Sequence, residues 1–137
     1  MSNLLDLMNN LRDGWGAATG LRFTSASDEL VEAELLVGPQ HLQPHGIVHG
    51  GVHCGVVESL CSIGATVAAA HRGHQGQVVG LENHTSFIRA VGAGTLLKAR
   101  ATPITRGRTT QVWEATITDP DGAIVATGRV RLLLVAK

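Results

Sequence analysis

The sequence predicts an α+β fold in which one long helix lies on a curled antiparallel sheet of five to six strands. Three observations carry this. The longest continuous apolar stretch runs from His49 to His71, is rich in alanine, and is too long for a strand. Two short extended segments precede it. Four more follow it, separated by brief turns bearing Gly or Pro. Strands flanking a single helix make one sheet with one helical layer.

The elements follow in order. Asn3, Leu4, Leu5, Met8 and Leu11 have helical spacing, so residues 1–15 are expected to hold a short amphipathic helical segment, broken by Gly14, Gly16 and Gly20. From Leu30 to Val37 the chain alternates. Val31, Ala33, Leu35 and Val37 share one face, Glu32 and Glu34 the other, as in a half-buried strand, with Leu21 to Ser25 as its hairpin partner. Residues 38–48 read as loop, punctuated by Gly38-Pro39, Pro44 and Gly46. After the helix, Val78 to Ala90, Thr95 to Thr105, Thr109 to Thr118 and Ala123 to Val135 read as strands. The turns between them are Gly92-Ala93-Gly94, Arg106-Gly107-Arg108 and Asp119-Pro120-Asp121-Gly122. Connections this short make successive strands antiparallel neighbours, so the last four are expected to form a meander.

Composition narrows the function. At 137 residues the chain has the length of one domain, 1–137, and can bury a core unaided. Eleven basic residues balance eleven acidic ones. That argues against a nucleic-acid or anionic-membrane coat, which needs a basic surface. No apolar run is expected to span a bilayer, and the first residues lack the basic start and apolar stretch of a signal peptide. Two cysteines make no disulfide framework, so a cytoplasmic protein with reduced thiols is expected. Aromatic residues are only 3% and tyrosine is absent, which leaves few large core anchors and favours burial through a homo-oligomer.

On a helical wheel, Gly51, Cys54, Gly55, Cys61, Ser62, Ala65 and Ala69 fall on the side of Glu58, with Val52, Val56, Leu60, Ile63 and Val67 opposite. Both faces are otherwise uncharged, which predicts a buried helix. Glu58 is then one carboxylate among the smallest side chains, with room beside it for another molecule. Such a group suits acid–base or nucleophilic work near neutral pH. Just upstream, Gln43-Pro44-His45-Gly46-Ile47-Val48-His49-Gly50-Gly51 ends where the helix begins. The first N–H groups of a helix lack internal partners and carry its positive dipole end. Glycines there admit a substrate oxygen, making a natural oxyanion site worth about 3–4 kcal/mol of barrier. Glu58 lies roughly 10 Å of axial rise beyond Gly51, so a second subunit could supply the missing wall.

The pattern Gln43-Pro44-x-Gly46-x-x-His49-Gly50-Gly51, then Glu58-Ser59 and Ser62, resembles the hotdog-fold acyl-CoA thioesterases of the PaaI-like branch, which includes hydroxybenzoyl-CoA-type enzymes. Val78-Val79-Gly80, Arg89, and Gly107-Arg108 with Trp113-Glu114 extend the likeness over nearly all the chain after about residue 20. The resemblance implies a hotdog domain and hydrolysis of an aromatic or medium-chain acyl-CoA without metal or organic cofactor. It implies Glu58 as nucleophile or general base, and the Gly50 N–H as carbonyl polariser. His49 and Gln43 would orient the carbonyl and the departing thiolate, and Ser62 would position water or the carboxylate. It also implies a dimer or tetramer whose site joins Glu58 and His49-Gly50 from different protomers. Gly51 and Cys54 would line the substrate pocket. Phe87 and His84 depart from the family pattern, with Asn83 beside His84, and bear on the acyl group. Arg89, Arg106 and Arg108, with Gly107 between the last two, are candidates for binding the CoA phosphates, which guanidinium groups suit, the other reading being a solvated strand end or turn.

Other chemistries fit less well. His41, His45, His49 and His53 recur every fourth residue, but Pro44, Gly46, Gly50 and Gly51 break the helix that would line them up on a metal, and His53 is expected to point away from Glu58. Cys54 and Cys61 are too far apart for a redox motif and read as small hydrophobes. No Gly-x-Ser-x-Gly elbow occurs, and Gly50-Gly51-x-x-x-Gly55 is no dinucleotide fingerprint. Trp15 and Trp113 read as packing residues. The alternative is a non-catalytic acyl-CoA-binding or assembly protein on the same fold. Glu58 argues against it, since a binding pocket gains nothing from a carboxylate.

Overall fold

The computed structural model describes residues 2–136. The chain begins with two short helices, α1 (Ser2–Asn9) and α2 (Trp15–Thr19), and a hairpin, β1 (Arg22–Ala26) and β2 (Val31–Leu36). A single 3-10 turn at Pro39–His41 leads into the long helix α3 (Gly50–His71). Four strands follow: β3 (Val78–Phe87), β4 (Leu96–Arg106), β5 (Thr110–Thr118) and β6 (Ile124–Leu134). The six strands form one antiparallel sheet in the order β1-β2-β4-β5-β6-β3, with α3 packed across it in the hotdog arrangement.

The alternation read from the sequence sets the buried faces. Val31, Ala33 and Leu35 of β2 and Gln111, Trp113, Ala115 and Ile117 of β5 point to the core beneath Val56, Val57, Leu60 and Cys61 of α3. Trp113 fills the middle, its ring against Gly64, where a side chain would overlap it. Its indole N–H donates to Gln111 Oε1 at 2.8 Å, and Gln111 Nε2 donates to the Ala65 carbonyl at 3.2 Å. The one polar network in this part of the core is thereby satisfied.

Three expectations are corrected. First, β3 and β4 are not neighbours. Gly92-Ala93-Gly94 carries the chain from one end of the sheet to its middle, where β4 pairs with β2, and β3 closes against β6. A short connection fixed the local turn, but the apolar face of β4 found its partner in the earlier hairpin. Second, α3 is not buried all round. Gly51, Thr66 and Ala70 are exposed, while Cys54, Gly55, Glu58, Ser59 and Ser62 are half-buried, because small residues face away from the sheet. Third, α3 is long and apolar enough, on length and composition, to cross a membrane, although its buried side lies on the sheet. The second short helix, α2, was also unforeseen. It forms between Gly14 and a left-handed Gly20, and lays Trp15 on Gly55 of α3.

The two sheet edges differ. At β1, the Asn9 amide of α1 bonds both backbone groups of Phe23, accepting from its N–H and donating to its carbonyl, each at 2.8 Å. That closes an edge that could otherwise pair with another chain. The ten-residue β3 pairs on one side only, and Val79, Leu81, Phe87 and the adjoining Ile88 are exposed.

Candidate active site

Apart from His84, Arg106, Gly107 and Arg108, the chain gathers its predicted residues into two candidate half-sites along α3. The first stands at the start of the helix. Gln43 opens a turn in which its carbonyl accepts from Gly46 N–H at 2.9 Å, with Gly46 in the left-handed region that glycine enters without strain. The Gln43 side-chain oxygen accepts from the His45 N–H. His49 caps the helix: its Nδ1 accepts from Gly51 N–H at 2.8 Å. That bond fixes the tautomer, leaving the imidazole proton on the exposed Nε2. Gly51, read as part of the substrate pocket, therefore has its N–H occupied. Gly50 N–H has no partner among the described residues. Gly50 lines a cleft of about 310 Å³ with Gln43, Val48, His53, Phe87 and Arg89, together with Ile47, Ile88, Ala90 and Val91. The Phe87 ring lies so close to Gly50 that any side chain there would displace it.

The second half-site surrounds Glu58. Asn83 of β3 donates from Nδ2 to Glu58 Oε1 at 3.1 Å and to the Cys54 carbonyl at 3.0 Å. Thr85 Oγ1 donates to Asn83 Oδ1 at 2.6 Å, which sets the amide's orientation. Gly80 stands against the other carboxylate oxygen, so that a Cβ there would overlap Oε2. A β-bulge between Gly80 and Glu82 makes this possible. Gly80 lies opposite Leu132 and Asn83 opposite Val130, both partners buried, so both face the helix although three residues apart. Ser62 is one turn beyond Glu58 on the same face.

The bulge places His84 elsewhere. It lies opposite Arg129 on the outer sheet face, 3.2 Å from Glu82, and does not join Asn83 in the pocket. Its hydrogen bond and charge pull Glu82 below the usual carboxylate range. Arg89 lies at the cleft, 3.8 Å from Asp119. Arg106, Gly107 and Arg108 are at the other end of the molecule. Arg106 is held by the Asp28 carbonyl at 2.9 Å, and the Gly107 carbonyl accepts from Arg72, which ends α3. The 22 residues of α3 separate them from Gly50 by about 33 Å of helix. They do not meet the cleft within one chain.

The remaining histidines and cysteines have physical accounts. His41 is buried and satisfied, accepting from Gly38 N–H at 2.8 Å and donating to the Thr19 carbonyl across 2.7 Å. No group of three or more His, Cys, Asp or Glu among the described residues could hold a metal. Cys54 is half-buried and Cys61 fully buried. Burial, with the charges of Glu58 and Glu114 added, pushes the Cys61 thiol far above its ordinary range. His53 does point away from Glu58, as its helical position predicted. That direction puts it in the Gly50 cleft, 6.0 Å from the Phe87 ring, where the sequence reading assigned it nothing. The signal was its spacing, three residues beyond Gly50 on the same helix.

Helix, sheet order, cap and placed carboxylate can be set beside known proteins. The thioesterase superfamily model matches residues 45–126, which include His49, Gly50, Glu58, Ser62 and Asn83 but not Gln43. The Mycobacterium tuberculosis protein Rv1847 is 42% identical over 113 residues, 82% of this chain and 80% of that one. Its solved structure aligns with a TM-score of 0.84 at 38% identity, over 89% of this chain and 96% of that one. The proofreading thioesterase EntH of Cronobacter turicensis is 34% identical over 112 residues, 81% of this chain and 78% of that one. PaaI of E. coli shares the fold, with a TM-score of 0.83 at 20% identity over 98% of this chain and 92% of that one. The chain belongs to the thioesterase superfamily and has the hotdog fold. It is a thioester hydrolase.

Proposed function

We propose that the enzyme hydrolyses aromatic or medium-chain acyl-CoA thioesters to the free acid and CoA, without metal or organic cofactor, at sites built from two copies of the chain. The observation that carries this is the separation of the two half-sites. Glu58 stands eight positions beyond Gly50 on α3, about 12 Å of rise. An attacking group must come within about 3–3.5 Å of the carbonyl carbon, and an oxyanion donor within about 3 Å of its oxygen. A Glu side chain cannot span the difference, so Glu58 of one copy works with Gly50 of another. The open edge of β3 supports this reading, because it carries Gly80, Asn83 and Phe87 and is the edge left unpaired.

The chemistry then follows from the parts. Gly50 N–H, at the positive end of α3, takes the charge that develops on the thioester oxygen. His49 Nε2–H and Gln43 orient the carbonyl and the leaving sulfur. Glu58, held by Asn83, either takes a proton from the attacking water or attacks the carbonyl itself, with Ser62 one turn away to place the water. Collapse of the tetrahedral species breaks the carbon–sulfur bond and releases CoA thiolate; where Glu58 has attacked, the acyl group stays on it as a mixed anhydride, which water then hydrolyses to the free acid. Phe87 bounds the acyl group, and Arg89 at the cleft suits a CoA phosphate.

The test is free-thiol release from a panel of aryl-, short-, medium- and long-chain acyl-CoAs, with wild type beside Glu58→Gln. Turnover of an aryl- or medium-chain substrate that collapses in the variant supports the reading. A folded wild type that turns over no member would favour an acyl-CoA-binding protein or a carrier-protein thioester as its ligand.

A further inference from the structure

His53 is an anomaly in this core. It is 3% exposed, and its Nδ1 is buried with no hydrogen-bond partner among the described residues. An orphaned polar atom destabilises a fold, and a leucine would fill the same space without it. Burial pulls the ring below the ordinary histidine range, so it stands neutral, with one N–H and one lone pair. A sealed lone pair is a commoner defect than a sealed N–H. The proton therefore belongs on Nε2, the nitrogen left to face the cleft that His53 lines with Gly50 and Phe87.

We infer that His53 is a specificity-determining donor for the acyl group, selecting acyl chains or rings that carry an oxygen acceptor close to the thioester carbonyl. This rests on the proposed hydrolase site with the carbonyl at Gly50. From there the two arms of a thioester diverge. The CoA arm ends in phosphates, which must stay near solvent and Arg89. The acyl arm takes the side of the cleft lined by Phe87 and His53. His53 is three residues beyond Gly50, about 4–5 Å of rise, so the acceptor it reaches lies that far from the carbonyl. A hydroxyl on the second or third carbon of a benzoyl ring has this placement; an unsubstituted ring leaves Nε2–H without a partner.

The experiment uses benzoyl-CoA and its 2-hydroxy and 3-hydroxy derivatives, with wild type, His53→Leu and His53→Gln. In wild type at least one hydroxylated substrate should have the higher kcat/KM, by about tenfold. His53→Leu should abolish that preference, lowering kcat/KM on the hydroxylated substrates far more than on benzoyl-CoA, and should raise Tm, since it removes a buried unpaired nitrogen. His53→Gln, which keeps a donor, should restore part of the preference. Calorimetry with the matching phenacyl-CoA ketones, which resist hydrolysis, should show the same pattern in Kd. An unchanged substrate ratio in His53→Leu overturns the inference. So does an equal loss on all three substrates, which would place the donor on an amide of the CoA arm. Absence of turnover in wild type would count against the hydrolase site instead, and the Kd pattern would then decide on His53 alone.

Discussion

Asn83 Nδ2 stands 3.1 Å from Glu58 Oε1, and the same amide reaches the Cys54 carbonyl one turn earlier on the helix. One side chain of the edge strand thus holds the carboxylate at a fixed place on α3. Thr85, bonded to Asn83 Oδ1, keeps the amide from turning over. Asn83→Ala should lower kcat by about tenfold with a smaller change in KM, because it frees the carboxylate without touching the cleft at Gly50. Asn83→Asp should be worse, since it sets a second negative charge against Glu58 and removes the donor. Steady-state kinetics on the best acyl-CoA check both.

Gly80 tests the same placement from the other side. Its lack of a side chain leaves the space that Glu58 Oε2 occupies. Gly80→Ala should push the carboxylate aside and cost on the order of tenfold in kcat. Its effect on Tm should be small, because the strand there is exposed. A large fall in Tm with unchanged kcat would mean that the glycine serves the strand and not the carboxylate.

Gln111 tests the core. Replacing it by Leu strands the fully buried Trp113 N–H. The expected cost is about 1–3 kcal/mol, read by denaturant titration. Activity per folded molecule should hold.

Cys61 gives a pH signature. Its thiol titrates far higher in the folded protein than in the unfolded chain, so the folded state keeps a proton that the unfolded state releases. The stability this provides is fully present below the unfolded thiol range and declines as pH rises beyond about 8.5. Cys61→Ala should flatten that part of the stability–pH curve. Native protein should be alkylated first at half-buried Cys54, with Cys61 reacting after unfolding.

Much of this was legible in the residues. Alternation over Val31 to Val37 fixed which face of that strand is buried, since a one-residue slip would turn every side chain outward. The Gln43-to-Ser62 motif pointed to both half-sites. What it could not carry was non-local. Sheet order depends on which apolar faces meet, so a three-residue turn misplaced β3 beside β4. The bulge after Gly80 changes which residues of β3 face the helix, and alternation counted from Val78 cannot anticipate an extra residue. The bulge therefore turns Asn83 toward α3 and His84 outward, the reverse of that count. His53 was read only against Glu58, although the cleft lies on its other side.

The central claim is that Glu58 of one copy serves the Gly50 end of another. Mixed oligomers test it most directly. Glu58→Gln and His49→Ala, each expected to lose most turnover alone, are unfolded together, refolded and assayed for thiol release. A hybrid dimer holds one intact site of two, and random pairing makes half the dimers hybrid. Recovery to about a quarter of wild-type activity is the predicted result. A mixture no more active than its separate parents, with hybrids shown to have formed, would contradict the account.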